Sequence, residues 1–479
     1  MNSENNTIEK TLFIPMEIFD RELGGALTLS KVAIENNWRV IIGGKSSIFP
    51  YLSKFRNSPG VFFLKSIVPG ETHIQKKIID YGHKITSLDV EGLVPSAGTE
   101  GVKIRYSKES INLSDYLFFW GRSGYETVKS VFPSIKEKSD ITGSPIIDYF
   151  NIISKLKKKP NLKTILIATS CGSANHISGT NYSKRALYSA AKNLSDVDKA
   201  KIEEELLLDE FIFNYWKDFV PMLAKKFYDY KIILRPHPSE SKIFWVKYFK
   251  NFSNISIERG GPITDSILNS SAFIHYNSTA AVTSVILNTP TFMPIPRFKK
   301  DFKEKLSFVK ELSHTFESFD DFCDLFKKRG IKLNDESKNL LLSNAINYND
   351  IDYASAEKII KKYEKLFAFN DKKEKIKKTF FREYLKHKKD RFFYLLQWII
   401  AIFLTPLEGI LQILIPKKMH SELFRIVKLL PPRNSYKYAK TKQPIISNLE
   451  IEEIFKNIGF NNFKVQRIAK KLFTIERLS

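Results

Sequence analysis

Apolar residues fall in short runs separated by longer stretches of helical period. "TLFIPM" (11–16), "RVIIGG" (39–44), "GVFFLKS" (60–66), "KITSLDVEGL" (84–93) and "YLFFWG" (116–121) read as strands. Between the first two, "RELGGALTLSKVAIENN" (21–37) has the pattern of an amphipathic helix. Short apolar strands separated by helices predict parallel βαβ units. A basic, polar bridge, "ISKLKKKPNLK" (153–163), interrupts the pattern. It restarts with "TILIATSCGS" (164–173) and continues through the strand ends "KIILRPHP", "ISIERGG", "SAFIHYNST" and "PTFMPIP". The class predicted is α/β, with two doubly wound, Rossmann-like domains facing a cleft, residues 1–155 and 156–370. In such sheets ligands bind outside the carboxyl ends of the strands, and each candidate residue stretch described below falls at such an end.

From residue 371 the character changes, and 371–479 is predicted to be a basic and apolar helical appendage. "DKKEKIKKTFFREYLKHKKDR" is a basic helix candidate that runs into "FFYLLQWIIAIFLTPLEGILQILIP" (392–416). Residues 392 to 407 are 16 uncharged residues, short of the roughly 20 that span a bilayer. Two readings stand side by side: a helix lying in an anionic membrane interface, and a helical hairpin packed on the domains. The final stretch, "ISNLEIEEIFKNIGFNNFKVQRIAKKLFTIERLS", reads as helix, glycine turn, strand, strand. It resembles the closing hairpin of class I methyltransferases, but no Gly-rich cofactor loop precedes it, so methylation is not inferred.

Charge and cysteine content narrow the partners. The chain of 479 residues has 43% hydrophobic and 27% charged residues, a folded composition. Its formal net charge is +24, and the last 109 residues hold 24 Lys/Arg against 10 Asp/Glu. Lys-rich codon usage explains this, and so does an acidic partner: anionic lipid, a phosphorylated substrate or nucleic acid. Nucleic acid ranks last, because neither zinc-finger spacing nor an RNA-binding aromatic signature is present. Two cysteines, Cys171 and Cys323, exclude a disulfide framework and point to a reducing compartment. The first residues lack the pattern of a signal peptide, so a cytoplasmic location is expected. No metal-ligand cluster is visible, and no cofactor is expected.

Four stretches offer chemistry. In "KIILRPHPSE" (231–240), Pro236 and Pro238 stiffen the backbone around His237, beside Arg235. An imidazole fixed there can donate to a phosphate oxygen or, protonated, neutralise one; a structural histidine is the other reading. In "FIHYNSTAAVTSVILNTP" (273–290), Ser278 and Thr279 precede a helix and offer hydroxyls and backbone N–H groups to a phosphate, or simply cap it. "TSCGSANH" (169–176) supplies small residues with Ser170, Ser173 and His176. "LDVEGL" (88–93) ends a strand in Asp89 and Glu91, carboxylates suited to a general base or nucleophile, or to a solvated turn.

Together these stretches resemble bacterial surface-carbohydrate biosynthesis proteins, glycosyltransferases of the GT-B type. The resemblance is carried by "FIPMEIFDREL", "VIIGGKSSI", "LDVEGL", "WGRSGYE", "ITGSPIID", "ILRPHPSE" and "HYNSTAAV", in that order between residues 11 and 365. His237–Pro238 and Ser278–Thr279 are also similar to residue pairs of bacterial sialyltransferases, polysialyltransferases and Kdo transferases that hold the CMP part of a CMP-sugar. "RPHP" is similar, too, to CDP-glycerol glycerophosphotransferases of teichoic acid synthesis. "DVEG" looks like an acidic-acidic-Gly stretch with Val90 as a variation. The sequence departs from these relatives at Thr283, where Glu is common, and at Ile146, where Arg is common.

The resemblance implies a metal-independent transfer from a CMP-sugar donor, such as CMP-Kdo, to a lipid-linked or polysaccharide acceptor of a capsule or O-antigen. The implied place is the inner face of the plasma membrane. Glu91, with Asp89, would be the catalytic carboxylate, as base or nucleophile. His237, Pro238, Ser278, Thr279, Ser170, His176 and Arg235 would bind the nucleotide. Arg21, Lys45 and Lys65 are cationic candidates for an acidic group of donor or acceptor. The alternatives are a CDP-glycerol-type glycerophosphotransferase and a non-catalytic subunit of a glycan-assembly complex.

Overall fold

A computed structural model describes residues 10–52, 60–93, 98–156, 163–177, 196–296, 308–328, 353–366, 446–469 and 471–478. The first sheet is built from β1 (Thr11–Met16), β2 (Arg39–Gly44), β3 (Gly60–Leu64), β4 (Lys84–Leu88), β5 (Tyr116–Phe119) and β6 (Ser139–Ile141), all parallel. β1 and β5 are buried at every position, which is why they read as unbroken apolar runs rather than alternating ones. The helix Phe19–Glu35 buries Phe19, Leu23, Leu27 and Ile34 against this sheet, the stripe its periodicity predicts. β1 lies between β2 and β3, so the winding direction reverses at the carboxyl ends of β1 and β3.

The second sheet contains β7 (Thr164–Ala168), β8 (Lys231–Arg235), β9 (Ile255–Ile257), β10 (Ala272–His275), β11 (Thr291–Pro294) and β12 (His314–Phe316) in the order β12-β11-β10-β7-β8-β9. Its reversal falls between β7 and β10. Ala168 pairs with both Arg235 and His275, so the loops that follow these three strands leave one edge side by side. One face carries an aromatic core of Trp216, Phe219, Trp245 and Phe322.

The halves share a hydrophobic core. Ile147, Tyr149 and Phe150 of the helix Pro145–Leu156 cluster with Val282, Val285 and Ile286 of the helix Ala280–Ile286. The helix Ala354–Leu366 then returns to the first half. Asp148 accepts from the backbone N–H groups of Ser355 and Ala356 at its start, and the Tyr363 hydroxyl lies 2.7 Å from Thr86 Oγ1. Two Rossmann-like sheets with such a returning helix form the GT-B architecture.

The end of the chain extends the first sheet. The helix Asn448–Asn457 leads into β13 (Phe463–Ala469) and β14 (Leu472–Arg477), and β14 pairs antiparallel with β2. Gly43 permits this, since a Cβ there would stand 2.3 Å from the carbonyl oxygen of Lys471. The sequence pattern correctly reads a helix, a turn and two strands here, but places them in a separate appendage. The basic and apolar stretch 371–416 lies outside the described residues. Among the described residues, no helix is long and apolar enough to cross a membrane.

Candidate active site

At the end of β4 the chain leaves the sheet in a turn whose anchor is Asp89. The side chain is buried and both its oxygens face Arg105: Nε donates at 2.7 Å to Oδ2, and Nη2 donates to Oδ1. Oδ1 also accepts from the backbone N–H of Glu91, at 3.0 Å. The Asp89 carbonyl accepts from Trp120 Nε1 and from the Gly92 N–H. With every one of these atoms engaged, Asp89 shapes the turn. Glu91 is the carboxylate it presents. Arg105 Nη1 is 2.5 Å from Glu91 Oε2, and Arg21 Nη2 is 3.6 Å from Glu91 Oε1. A pocket at the turn is lined by Glu91 and Arg105 together with Val102, Tyr106, Phe119 and Trp120.

The opposite rim is organised by a residue the sequence reading passed over. Glu240 is fully buried, and its carboxylate accepts from Thr169 Oγ1, the N–H of Cys171, the N–H of His237 and Trp245 Nε1 at 2.7–3.1 Å. One side chain thereby ties the loop after β7 to the loop after β8. Backbone bonds from Ile177 to Ser239 and from Ser241 to Asn175 complete the junction. Burial pushes the Glu240 carboxyl up from its ordinary value, and the four donors oppose that shift. A carboxylate three residues past a proline-locked histidine was the available signal.

His237 emerges from this junction. Its Nδ1 accepts from the Ser239 N–H and lies 2.7 Å from Ser239 Oγ. The proton therefore belongs on Nε2. The ring is partly open to solvent; desolvation by the surrounding protein, followed by the charges of Arg21 and Arg259, brings its pKa down to about 4. In this environment it is a neutral Nε2–H donor, which suits the first of the two roles open to it in the sequence, donation to a phosphate oxygen. His176 lies in the adjoining loop, its pKa lowered by burial. A Cβ at Gly172 would stand 2.4 Å from Ser239 Oγ, so a larger residue there would turn that hydroxyl away from His237 Nδ1.

The loop after β10 is aligned by His275. Its Nδ1 accepts from the Ser278 N–H and its Nε2 lies 2.9 Å from Ser313 Oγ, while complete burial takes its pKa to about 3. Asn277 takes a left-handed conformation, φ 49°, and Ser278 Oγ accepts from the Ala280 N–H. Thr279 is exposed, and its side chain makes no capping bond. Ser278, Thr279 and Ser170 thus flank the reversal point of the second sheet, where such folds place ligands.

The start of the helix Phe19–Glu35 bridges the two rims. Asp20 interacts with Arg235 and the Gly261 N–H of the second half. Arg21, beside it, faces Glu91 and adds the charge felt by His237. Arg235 donates to Ser266 Oγ and to the carbonyls of Gly260 and Gly261, so it braces the loop after β9. Arg259 donates to the carbonyls of Pro238 and Glu240. Lys45 is paired with Glu71 at 2.7 Å, and Lys65 with Glu17 at 2.5 Å. Of the three cations singled out from the sequence, Arg21 is thus the one these interactions place at Glu91. Arg105 was not foreseen, because nothing local marks its pairing with a turn 16 residues earlier. Cys171 and Cys323 are both free thiols and buried. Among the described residues, no group of three or more His, Cys, Asp or Glu side chains is arranged to hold a metal ion.

Comparison with known proteins finds likeness only in structure. No family model and no curated protein matches the sequence. UDP-GlcNAc 2-epimerase from Neisseria meningitidis, bound to UDP-GlcNAc, is 12% identical with a TM-score of 0.44, over 74% of this chain and 100% of that one. The corresponding epimerase of Methanocaldococcus jannaschii, with UDP-GlcNAc and UDP, is 14% identical with a TM-score of 0.41, over 74% and 99%. The wall teichoic acid polymerase TagF is 11% identical with a TM-score of 0.41, over 76% and 90%. Likeness at this level says nothing of what this chain binds or does.

Proposed function

We propose that this chain is a GT-B glycosyltransferase that moves a sugar from a nucleotide-activated donor to a surface polysaccharide or its lipid-linked precursor. In the finer reading the donor is a CMP-sugar and the sugar a 2-keto acid such as Kdo. One observation carries the proposal: Arg21 is paired with Glu91, past β4, at 3.6 Å, and its charge also acts on His237, past β8. Group transfer needs a base or nucleophile on one side of the reacting carbon and a phosphate receptor on the other.

In an inverting reaction, Glu91 takes the proton of an acceptor hydroxyl as its oxygen bonds to the anomeric carbon. The bond from that carbon to the donor phosphate breaks, and the nucleotide leaves with the electron pair. In a retaining reaction, Glu91 itself bonds to the carbon as the bond to the phosphate breaks; in a second step the acceptor oxygen displaces the carboxylate and gives its proton to the released phosphate. His237 Nε2–H, with hydroxyl and backbone donors near Ser278, would hold the departing phosphate in either case. Cytidine as the base is supported by the likeness of the His-Pro and Ser-Thr pairs to CMP-sugar enzymes.

Incubation of the purified chain with CMP-Kdo, CMP-sialic acid, CDP-glycerol and UDP-GlcNAc tests the proposal through nucleotide release. The expected result is CMP release from a CMP-sugar, slowed at least about 10²-fold by Glu91→Gln. CMP release from CDP-glycerol alone identifies a glycerophosphotransferase, and UDP release moves the donor to uridine. Cytidine-nucleotide binding without turnover identifies an assembly subunit. Attachment through 371–416 to an anionic membrane is part of the proposal on sequence grounds. Sedimentation with anionic vesicles at low salt is expected, and no binding there removes that part.

A further inference from the structure

The cations of the cleft are held unequally. Arg105 is bound by hydrogen bonds to Asp89 and Glu91, Arg235 to Ser266 and two carbonyls, and Arg259 to two carbonyls. Arg21 is different. Its ion pairs with Glu91 and Glu22, at 3.6 and 3.8 Å, lie beyond hydrogen-bond reach, and 42% of its side chain is exposed. Glu22 has other partners, since its carboxylate accepts from the N–H groups of Glu17 and Ile18. Glu91 is held more closely by Arg105, at 2.5 Å. Arg21 therefore has little to lose by changing partner, and it stands where both rims meet.

Resting on the functional reading above, we infer that Arg21 joins His237 in receiving the phosphate of the nucleotide donor and that Glu91 and this phosphate compete for Arg21. When the phosphate takes Arg21, one oxygen of Glu91 is relieved of its cation. A carboxylate shared by two guanidinium groups is a poor proton acceptor and a poor nucleophile, because both states it must reach carry less negative charge. Engagement of the donor thus readies Glu91, and the reacting carboxylate is released only when there is a sugar to transfer.

Competition for Arg21 is readable in binding alone, independent of turnover. Titration of the full chain with CMP and with UDP by calorimetry is the probe. Arg21→Gln is expected to weaken the nucleotide that binds by about tenfold, the loss of one charge-assisted contact. Glu91→Gln is expected to strengthen it about threefold or more, because the Glu91 charge no longer competes for Arg21. In the Arg21→Gln background, Glu91→Gln is expected to change affinity less than twofold. Arg21→Lys keeps the charge and is expected to keep most of the response to Glu91→Gln, which covers the case of a misfolded glutamine variant. If removing the Glu91 charge strengthens binding equally without Arg21, the effect is a general field and the inference is overturned. If Glu91→Gln leaves wild-type affinity unchanged, it is likewise overturned while the functional reading stands. A wild-type chain that binds neither nucleotide overturns both.

Discussion

Two glutamates sit just past the ends of β4 and β8, and their surroundings differ in kind. Glu91 is half exposed, with guanidinium groups as its side-chain partners. Glu240 has no exposed surface and is held by a hydroxyl, two backbone N–H groups and an indole. A carboxylate that meets water and paired charge can exchange partners and protons with little loss. One that meets only neutral donors in a dry junction cannot leave without stranding all of them. The rim around Glu91 is thus suited to chemistry, and the rim around Glu240 to holding loops in place.

Substitutions can break this contrast. The largest effect is expected at Glu240. Glu240→Ala leaves four buried donors without their acceptor and should lower stability by at least about 3 kcal/mol, with loss of nucleotide binding. Urea denaturation measures it, and a drop below about 1 kcal/mol would mean the junction is held by something else.

His275 tests the same rim by pH. Its pKa lies at about 3, against 6.5 for an ordinary histidine, so on acidification the unfolded chain takes up the proton first. The contribution of this group is complete above pH 6.5 and is lost as pH falls towards 3. His275→Gln should flatten the fall in stability between pH 7 and pH 4 by on the order of 3 kcal/mol. Parallel curves for the two proteins would show that His275 is not desolvated as described. The smallest effect is expected at Glu91, where Glu91→Gln should change stability by less than about 1 kcal/mol, as for other exposed ion pairs. A larger loss would make Glu91 part of the scaffold and erase the difference between the rims.

Much of this arrangement was legible in the sequence, and the rest was hidden for particular reasons. The strand ends at Asp89, Arg235 and His275 follow from apolar runs that stop at polar residues, because a doubly covered parallel strand has to be apolar and its exit does not. The stiff setting of His237 was visible in its two prolines. Its tautomer and low pKa were not, since they depend on Ser239, on Arg21 from the other half and on burial. Arg105 and Glu240 act through distant partners, and a local pattern records only the residue and not whom it meets. Asp148 illustrates the same point: it lies in the quoted stretch "ITGSPIID", yet its work is to receive the N–H groups of Ser355 and Ala356.

The pairing of β14 with β2 bears on how the protein is made. β2 leaves the ribosome well before its outer neighbour, which is encoded hundreds of residues later. Throughout elongation the nascent chain carries "RVIIGG" with one row of backbone donors and acceptors unpaired, a template for any strand that comes near. Folding of the first half is therefore not finished by the synthesis of the first half, and a transcript cut short before the hairpin would yield a product prone to self-association. Strands that lie hundreds of residues further along the chain thus cover the edge that β2 leaves open.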